Sequence, residues 1–222
     1  KAQINPHFIS NSLSAIQLLI DSGNVDKANL YMAKFSLLIR YVLKYSDKSV
    51  TSLSDEVKIL ELNIELEQLR FTNSFTFRKN IAPELNLSEI FVRPLITQPF
   101  IENAIWHGLV PLKNEKQPEI ILGVATIDQC IVISITDNGI GRDNTKIKDP
   151  IGNNSPRESM GTTLTKNRIE NLNKLYKTRD AEIDIIDLYD SAGRPAGTCV
   201  QIKLPIDLIE HLKKKQHEYS YY

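Results

Sequence analysis

The 222-residue chain has no surplus of charge. Its 27 lysines and arginines are balanced by 27 aspartates and glutamates, so the electrostatic footprint of a nucleic-acid-binding protein is missing. Cysteine is scarce. Cys130 and Cys199 stand in the apolar runs IDQCIVISI and GTCVQIKL, without CxxC or metal spacing. They read as buried free thiols of a reducing compartment, which excludes a disulfide framework and a zinc cluster. No apolar run is long enough to span a bilayer, no signal-peptide pattern is visible, and there are no internal repeats or low-complexity segments. The chain opens with KAQINPHF, without an initiator Met, and reads as a fragment of something longer.

What the chain has is periodicity. Ile4, Phe8, Ile16, Leu19 and Ile20 fall near one helical face, and Gly23 ends that segment. Leu30, Phe35, Leu38, Tyr41, Val42 and Tyr45 continue as a second helix. So short a turn predicts an antiparallel helical hairpin. Ser52 or Ser54 is the expected N-cap of a third helix, EVKILELNIELEQLRF. The polar stretch 46–52 is the expected domain boundary.

Beyond Phe75 the period changes. FTFRKNI is a short alternating run, and RPLITQPFIENAIWHGL reads as an apolar helix. IILGVAT and CIVISITD read as a strand pair. Residues 142–159 make a long polar loop, of the kind that in compact domains is functional or mobile. A helix, TLTKNRIENLNKLY, and two strands, AEIDIIDLY and TCVQIKLP, follow. The fold class is α+β: a helical hairpin over 1–48, then a sandwich over 49–206 with helices on one face of a mixed sheet. The tail 207–222 is a basic extra helix or a frayed end.

Four short stretches carry chemistry. Asp137-Asn138-Gly139-Ile140-Gly141 puts an acid at a strand end, followed by glycines that allow close approach of a ligand. A carboxylate there can accept a hydrogen bond from an exocyclic amine; the plain alternative is a tight turn. Glu102-Asn103-Ala104-Ile105-Trp106-His107-Gly108 places hard oxygen ligands, suited to magnesium beside phosphates, in an otherwise apolar helix. The alternative is a helix exit with exposed polar residues. Ser159-Met160-Gly161-Thr162 lies at a helix start where backbone N–H groups could hold an anion, or where a Ser or Thr simply caps. Gly197-Thr198 opens the last strand and says little alone.

In this order the four stretches resemble the asparagine box, the two glycine boxes and the terminal Gly-Thr of the GHKL (Bergerat) ATP-binding fold. The opening QINPHFISNSL resembles the NPHFLFNxL phosphoacceptor motif of LytS/YehU-type sensor histidine kinases. LEQLRF and RPLITQPFIENAIWHG are similar to the same family, and the resemblance runs from Gln3 to about Pro205.

It implies that Asn103 binds magnesium with Glu102 as its acidic neighbour and possible second ligand. Asp137 then recognises the adenine amine of ATP, Gly139 and Gly141 lie beneath the nucleotide, and Gly161 with Thr162 and Thr198 line the phosphate side. Trp106 stands where the family often has Lys, so a phosphate contact is lost or taken over by His107. The lid motif is one glycine short, and Ser10 replaces the second Phe of the first motif.

The same resemblance makes His7 the phosphoacceptor. Asn5 suits an N-cap and Pro6 the first helical position, so a helix starts there; if it runs through from Lys1 instead, Pro6 kinks it. In a first turn the dipole disfavours imidazolium and welcomes a phosphoryl group. Asn11, four residues on, can orient the ring. Phe8 stands where many histidine kinases of other types carry an acid, so Glu102 is the expected polariser of His7.

The implied protein is a homodimer through a four-helix bundle. It takes ATP and Mg2+ and passes its phosphoryl group to a response regulator of the LytTR type. It would be the cytoplasmic portion of a bacterial inner-membrane protein whose membrane segments lie upstream of Lys1. A GHKL ATPase without phosphotransfer and a degenerate, dimeric regulator-binding scaffold stay open beside it.

Overall fold

The computed structural model describes residues 6–46, 48–70, 75–112, 116–142, 167, 170 and 181–218; at 6–8, 46 and 215–218 it describes the backbone alone. The expected hairpin is α1 (Pro6–Asp21) and α2 (Val25–Ser46). Gly23, at φ 74°, turns the chain between them, and the Gly23 and Asn24 N–H groups close on the Ile20 and Leu19 carbonyls. A left-handed residue just past a helix end satisfies its last carbonyls in this way.

A short strand β1 (Thr51–Ser52) leads into α3 (Leu53–Arg70). Of the two candidate caps the Ser52 hydroxyl takes the role, accepting the Asp55 N–H at 3.1 Å. The helix buries two faces. Leu53, Val57, Leu60 and Ile64 enter the main core, whereas Ile59 and Leu66 join Ala15, Ile16, Tyr31, Leu38, Val42 and Tyr45 in a second core under the hairpin.

The sheet contains β2 (Thr76–Ile81), β4 (Glu119–Ile127), β5 (Cys130–Asp137), β6 (Glu182–Tyr189) and β7 (Pro195–Pro205) in the order β2-β4-β5-β7-β6. The β2–β4 pair is parallel and the others antiparallel. It is therefore mixed, as expected. Ile120, Leu122, Val124, Ile131, Ile133, Ile135, Val200, Ile202 and Leu204 supply its buried face, packed with α3 and the helices introduced below.

The 207–222 segment enters a helix, α5 (Ile206–Glu218), that buries Leu208, Ile209 and Leu212 in the same core. Cys130 and Cys199 are free but half-buried, not buried. Each alternates with core residues and so falls on the opposite sheet face, where the Thr136 hydroxyl meets Cys199 Sγ at 3.2 Å.

The stretch expected as one long helix from Arg93 differs most. A strand β3 (Phe91–Val92) pairs with β1, and a turn containing Leu95 at φ 59° follows. Helix α4 then covers only Gln98–Asn103, and a π-helix runs over Ala104–Leu109. Pro94 and Pro99 remove N–H donors from an earlier start, and Glu56 captures the N–H groups of Leu95 and Thr97. Of the helix expected after the long loop, Asn167 and Glu170 are helical; its remaining residues, the loop from 143 onward and the Ser159–Thr162 stretch lie outside the described residues.

Candidate functional site

Strand β5 ends at Asp137, which is 5% exposed, and its Oδ1 accepts the Gly139 N–H at 2.8 Å. Burial raises its pKa from 3.8 to about 6, against the opposing pull of the Gly139 and Thr198 backbone N–H groups and the positive charge of Lys116. The carboxyl is held in reserve as an acceptor, and a donor that arrives without water would favour its charged form.

The π-helix brings its single glycine, Gly108, onto this carboxylate. A Cβ on Gly108 would stand 2.8 Å from Asp137 Oδ1, and one on Gly139 would run into the Gly108 backbone. The Ile140 N–H also bonds the Gly108 carbonyl at 3.1 Å. Asparagine-box segment and first glycine box are therefore in direct backbone contact, which only side-chain-free residues permit. π-Helical turns of this kind recur at functional sites.

The remaining residues spread from that contact. Asn103, half-buried, ends α4 where the π-helix begins. Glu102, also half-buried, accepts the Gln98 side-chain amide at 2.9 Å. His107 is exposed at the π-helix end. Gly141 turns at φ 72°, and Thr198 is paired with Asp137 across β5 and β7. His7 is the second residue of α1, in its first turn, and half-buried Asn11 lies one turn on; the His7 side chain, Gly161 and Thr162 lie outside what the structure describes.

The residue types suit a magnesium nucleotide: Asp137 is a buried carboxylate for an amine, and Asn103 and Glu102, where α4 meets the π-helix, are the residues that could hold the ion. Magnesium held there would neutralise phosphate charge.

Several residues escape sequence reasoning. Gly108 and Gly197 lie in stretches already singled out, but their roles do not show there: a Cβ on Gly197 would collide with the Asp137 carbonyl, as one on Gly108 would with the Asp137 side chain. Arg142 clamps the end of the glycine box to β6 through Asp187, at 2.6 and 2.7 Å. Asn138 spans the start of β4, accepting the Glu119 N–H and donating to the Gln117 carbonyl.

Behind Glu102, α3 presents Glu67, 7% exposed. Burial pushes its carboxyl up to about 7, with the Arg70 guanidinium opposing and the Glu102 charge adding to the rise. Arg70 stacks on the Trp106 ring, 4.6 Å from its centroid. The LEQLRF segment thus lies against the asparagine box.

A family model described as histidine kinase matches residues 1–75. Sensor protein LytS of Staphylococcus haemolyticus is 31% identical over 186 residues, covering 82% of this chain and 30% of that protein. Sensor histidine kinase YpdA of Escherichia coli is 30% identical over 170 residues, with 77% and 29% covered. Sensor protein LytS of Streptococcus agalactiae serotype V is 30% identical over 220 residues, with 98% and 35% covered. The chain therefore spans only 29–35% of the length of these relatives. Among solved structures, the histidine kinase domain of the Erythrobacter litoralis EL346 blue-light activated kinase is similar over 94% of this chain and 92% of that one, at 15% identity and a TM-score of 0.47; so loose a likeness carries no argument. With its NPHF stretch inside the matched histidine-kinase region and relatives aligned along 77–98% of its length, the chain belongs to the LytS-type sensor histidine kinases.

Proposed function

We propose that the chain is the kinase portion of such a sensor, moving the γ-phosphoryl group of ATP to His7 and on to a response-regulator aspartate. The observation that supports it best is the backbone contact between Gly108 and Gly139 over the buried Asp137 carboxylate. It joins an adenine-type acceptor to the segment carrying Glu102 and Asn103.

In this reading Asp137 accepts the adenine amine, the Gly108–Gly139 backbone contact holds the asparagine-box segment beside that carboxylate, and Asn103 with Glu102 would hold the magnesium. His7, in a first helical turn, would attack through a ring nitrogen. Its proton leaves to a base, for which Glu102 is the candidate. The protein's contribution is positioning and charge neutralisation, as in other phosphoryl transfers.

The hairpin supports dimerisation. Leu13, Leu18, Ile20, Val25, Leu30, Met32, Leu37 and Leu43 are all exposed on α1 and α2, and a second copy covering them would complete a four-helix bundle. No described helix is long and apolar enough to cross a membrane. Membrane attachment would come from segments preceding Lys1, with the kinase on the cytoplasmic side and a LytTR-type regulator as the partner.

Incubation with γ-labelled ATP and magnesium tests the reading. Acid-labile, base-stable label that disappears in His7→Gln is the expected result. Released phosphate without protein label would mean a GHKL ATPase, and neither label nor release would mean a regulator-binding scaffold.

A further inference from the structure

A carboxylate removed from water is costly unless donors fill its lone pairs. Glu56, in the first turn of α3, is 1% exposed. Its Oε2 accepts the Leu95 N–H at 2.8 Å, and its Oε1 accepts the Thr97 N–H at 3.0 Å and the Thr97 hydroxyl at 2.8 Å. All three donors belong to the turn that enters α4.

That turn is held against its own preferences. Leu95 sits at φ 59°, a left-handed conformation that a leucine keeps only when its surroundings enforce it. Thr97 is the N-cap of α4 yet makes no side-chain cap bond, because its hydroxyl is committed to Glu56. The start of α4 is thus set by a carboxylate from another helix. Within two turns α4 delivers Glu102 and Asn103, so an error in its entry angle is carried directly to them. On the other side, the neighbouring Asp55 is hydrogen-bonded by the Tyr45 side chain of α2. One turn of α3 is therefore tied both to the hairpin and to the segment bearing Asn103.

We propose that Glu56 is a positioning residue for the magnesium–nucleotide site: it fixes the entry of α4 through Leu95 and Thr97, and with it where the Asn103 amide and Glu102 carboxylate stand. It links that placement to the hairpin through Asp55 and Tyr45. The inference rests on the nucleotide reading of the site.

The experiment measures ATP affinity of the whole chain with magnesium and in EDTA, for wild type and Glu56→Gln. Glutamine keeps the size but turns an N–H2 toward one of three donors. The factor by which magnesium strengthens binding should fall at least about tenfold, as expected when positioned ligands are displaced. Affinity in EDTA, which depends on Asp137, should change by less than about twofold, as for an independent site. Thr97→Ser keeps the hydroxyl and should keep the factor, whereas Thr97→Val should lower it in part.

An unchanged factor in Glu56→Gln overturns the proposal. So does a parallel fall of both affinities, which would make Glu56 only a brace of the fold. Should Glu56→Gln fail to fold, Thr97→Val against Thr97→Ser decides by the same factor. A wild type without magnesium-dependent ATP binding would sink the nucleotide reading itself; magnesium-dependent binding that the variants leave untouched would sink this inference alone.

Discussion

Replacing Asp137 by asparagine should make the empty protein more stable at neutral pH while weakening its hold on nucleotide. The carboxyl is 5% exposed, and burial carries its pKa from 3.8 to about 6. For an acid raised in the folded state, the stabilising form is the protonated one. Its contribution is complete below 3.8, declines as the pH rises toward 6, and stays lost above. At about 1.4 kcal/mol per pH unit, ionised Asp137 costs about 3 kcal/mol at pH 7.5. A neutral amide in its place cannot supply the charge, but it removes that cost. The amide oxygen can still accept the Gly139 N–H, while an amide N–H2 without an acceptor returns about 1–2 kcal/mol of the gain.

Urea denaturation at pH 7.5 should therefore show Asp137→Asn about 1–2 kcal/mol more stable than wild type. At pH 5 the difference should shrink by about 1.4 kcal/mol, because wild type has regained part of its proton. Comparing variant with wild type at each pH cancels the other buried acids, Glu56 and Glu67. Nucleotide affinity should fall about 10–100-fold, the value of a hydrogen bond to a charged acceptor. A variant less stable than wild type at pH 7.5, or an advantage that does not shrink on acidification, would refute the burial argument. Undiminished ATP binding would refute the role given to the carboxylate.

Two further outcomes concern the transfer itself and the assembly. Glu102→Gln, assayed at saturating magnesium–ATP so that any loss of ion binding is overcome, should still lose most labelling of His7; normal labelling at saturation would remove Glu102 as the polariser. Leu18→Glu, at a residue 68% exposed on α1, should shift sedimentation toward a monomer without lowering monomer stability. An unchanged dimer would place the interface elsewhere.

The elements that follow from short-range pattern are legible in the sequence. The α1–α2 hairpin, the Ser52 cap and each strand of the main sheet come from apolar period and turn chemistry, and β5 ends on Asp137 as the DNGIG stretch suggests. What fails to show is set by partners distant along the chain. Apolar period alone makes 93–109 one helix, but Glu56, about forty positions earlier, takes the donors that would start it. Period 2 places Cys130 and Cys199 in strands without saying which sheet face is covered, so their half-exposure is invisible. Gly108 and Gly197 look like ordinary turn glycines until β5 meets the π-helix and β7. The phosphate-side residues Gly161 and Thr162 remain a matter of resemblance.

Helix α3 limits how the hairpin can meet the nucleotide. Leu53, Val57, Leu60 and Ile64 fix it to the sheet, while Ile59 and Leu66 bury against Leu38, Val42 and Tyr45 of the hairpin. A free swing about 46–52 would expose Ile59 and Leu66, at about 1.5–3 kcal/mol for each buried side chain, together with the hairpin residues they cover. That cost is large against a total stability of about 5–15 kcal/mol. Under the proposed function, an arrangement that brings His7 to the nucleotide would have to keep this second core or replace it with contacts of similar area. A sliding of α3 along the hairpin satisfies that condition and a hinge opening into water does not. Because Asp55 and Glu56 sit on the same turn, any such slide also pulls on the entry to α4, so hairpin movement and the placement of Asn103 are one mechanical problem.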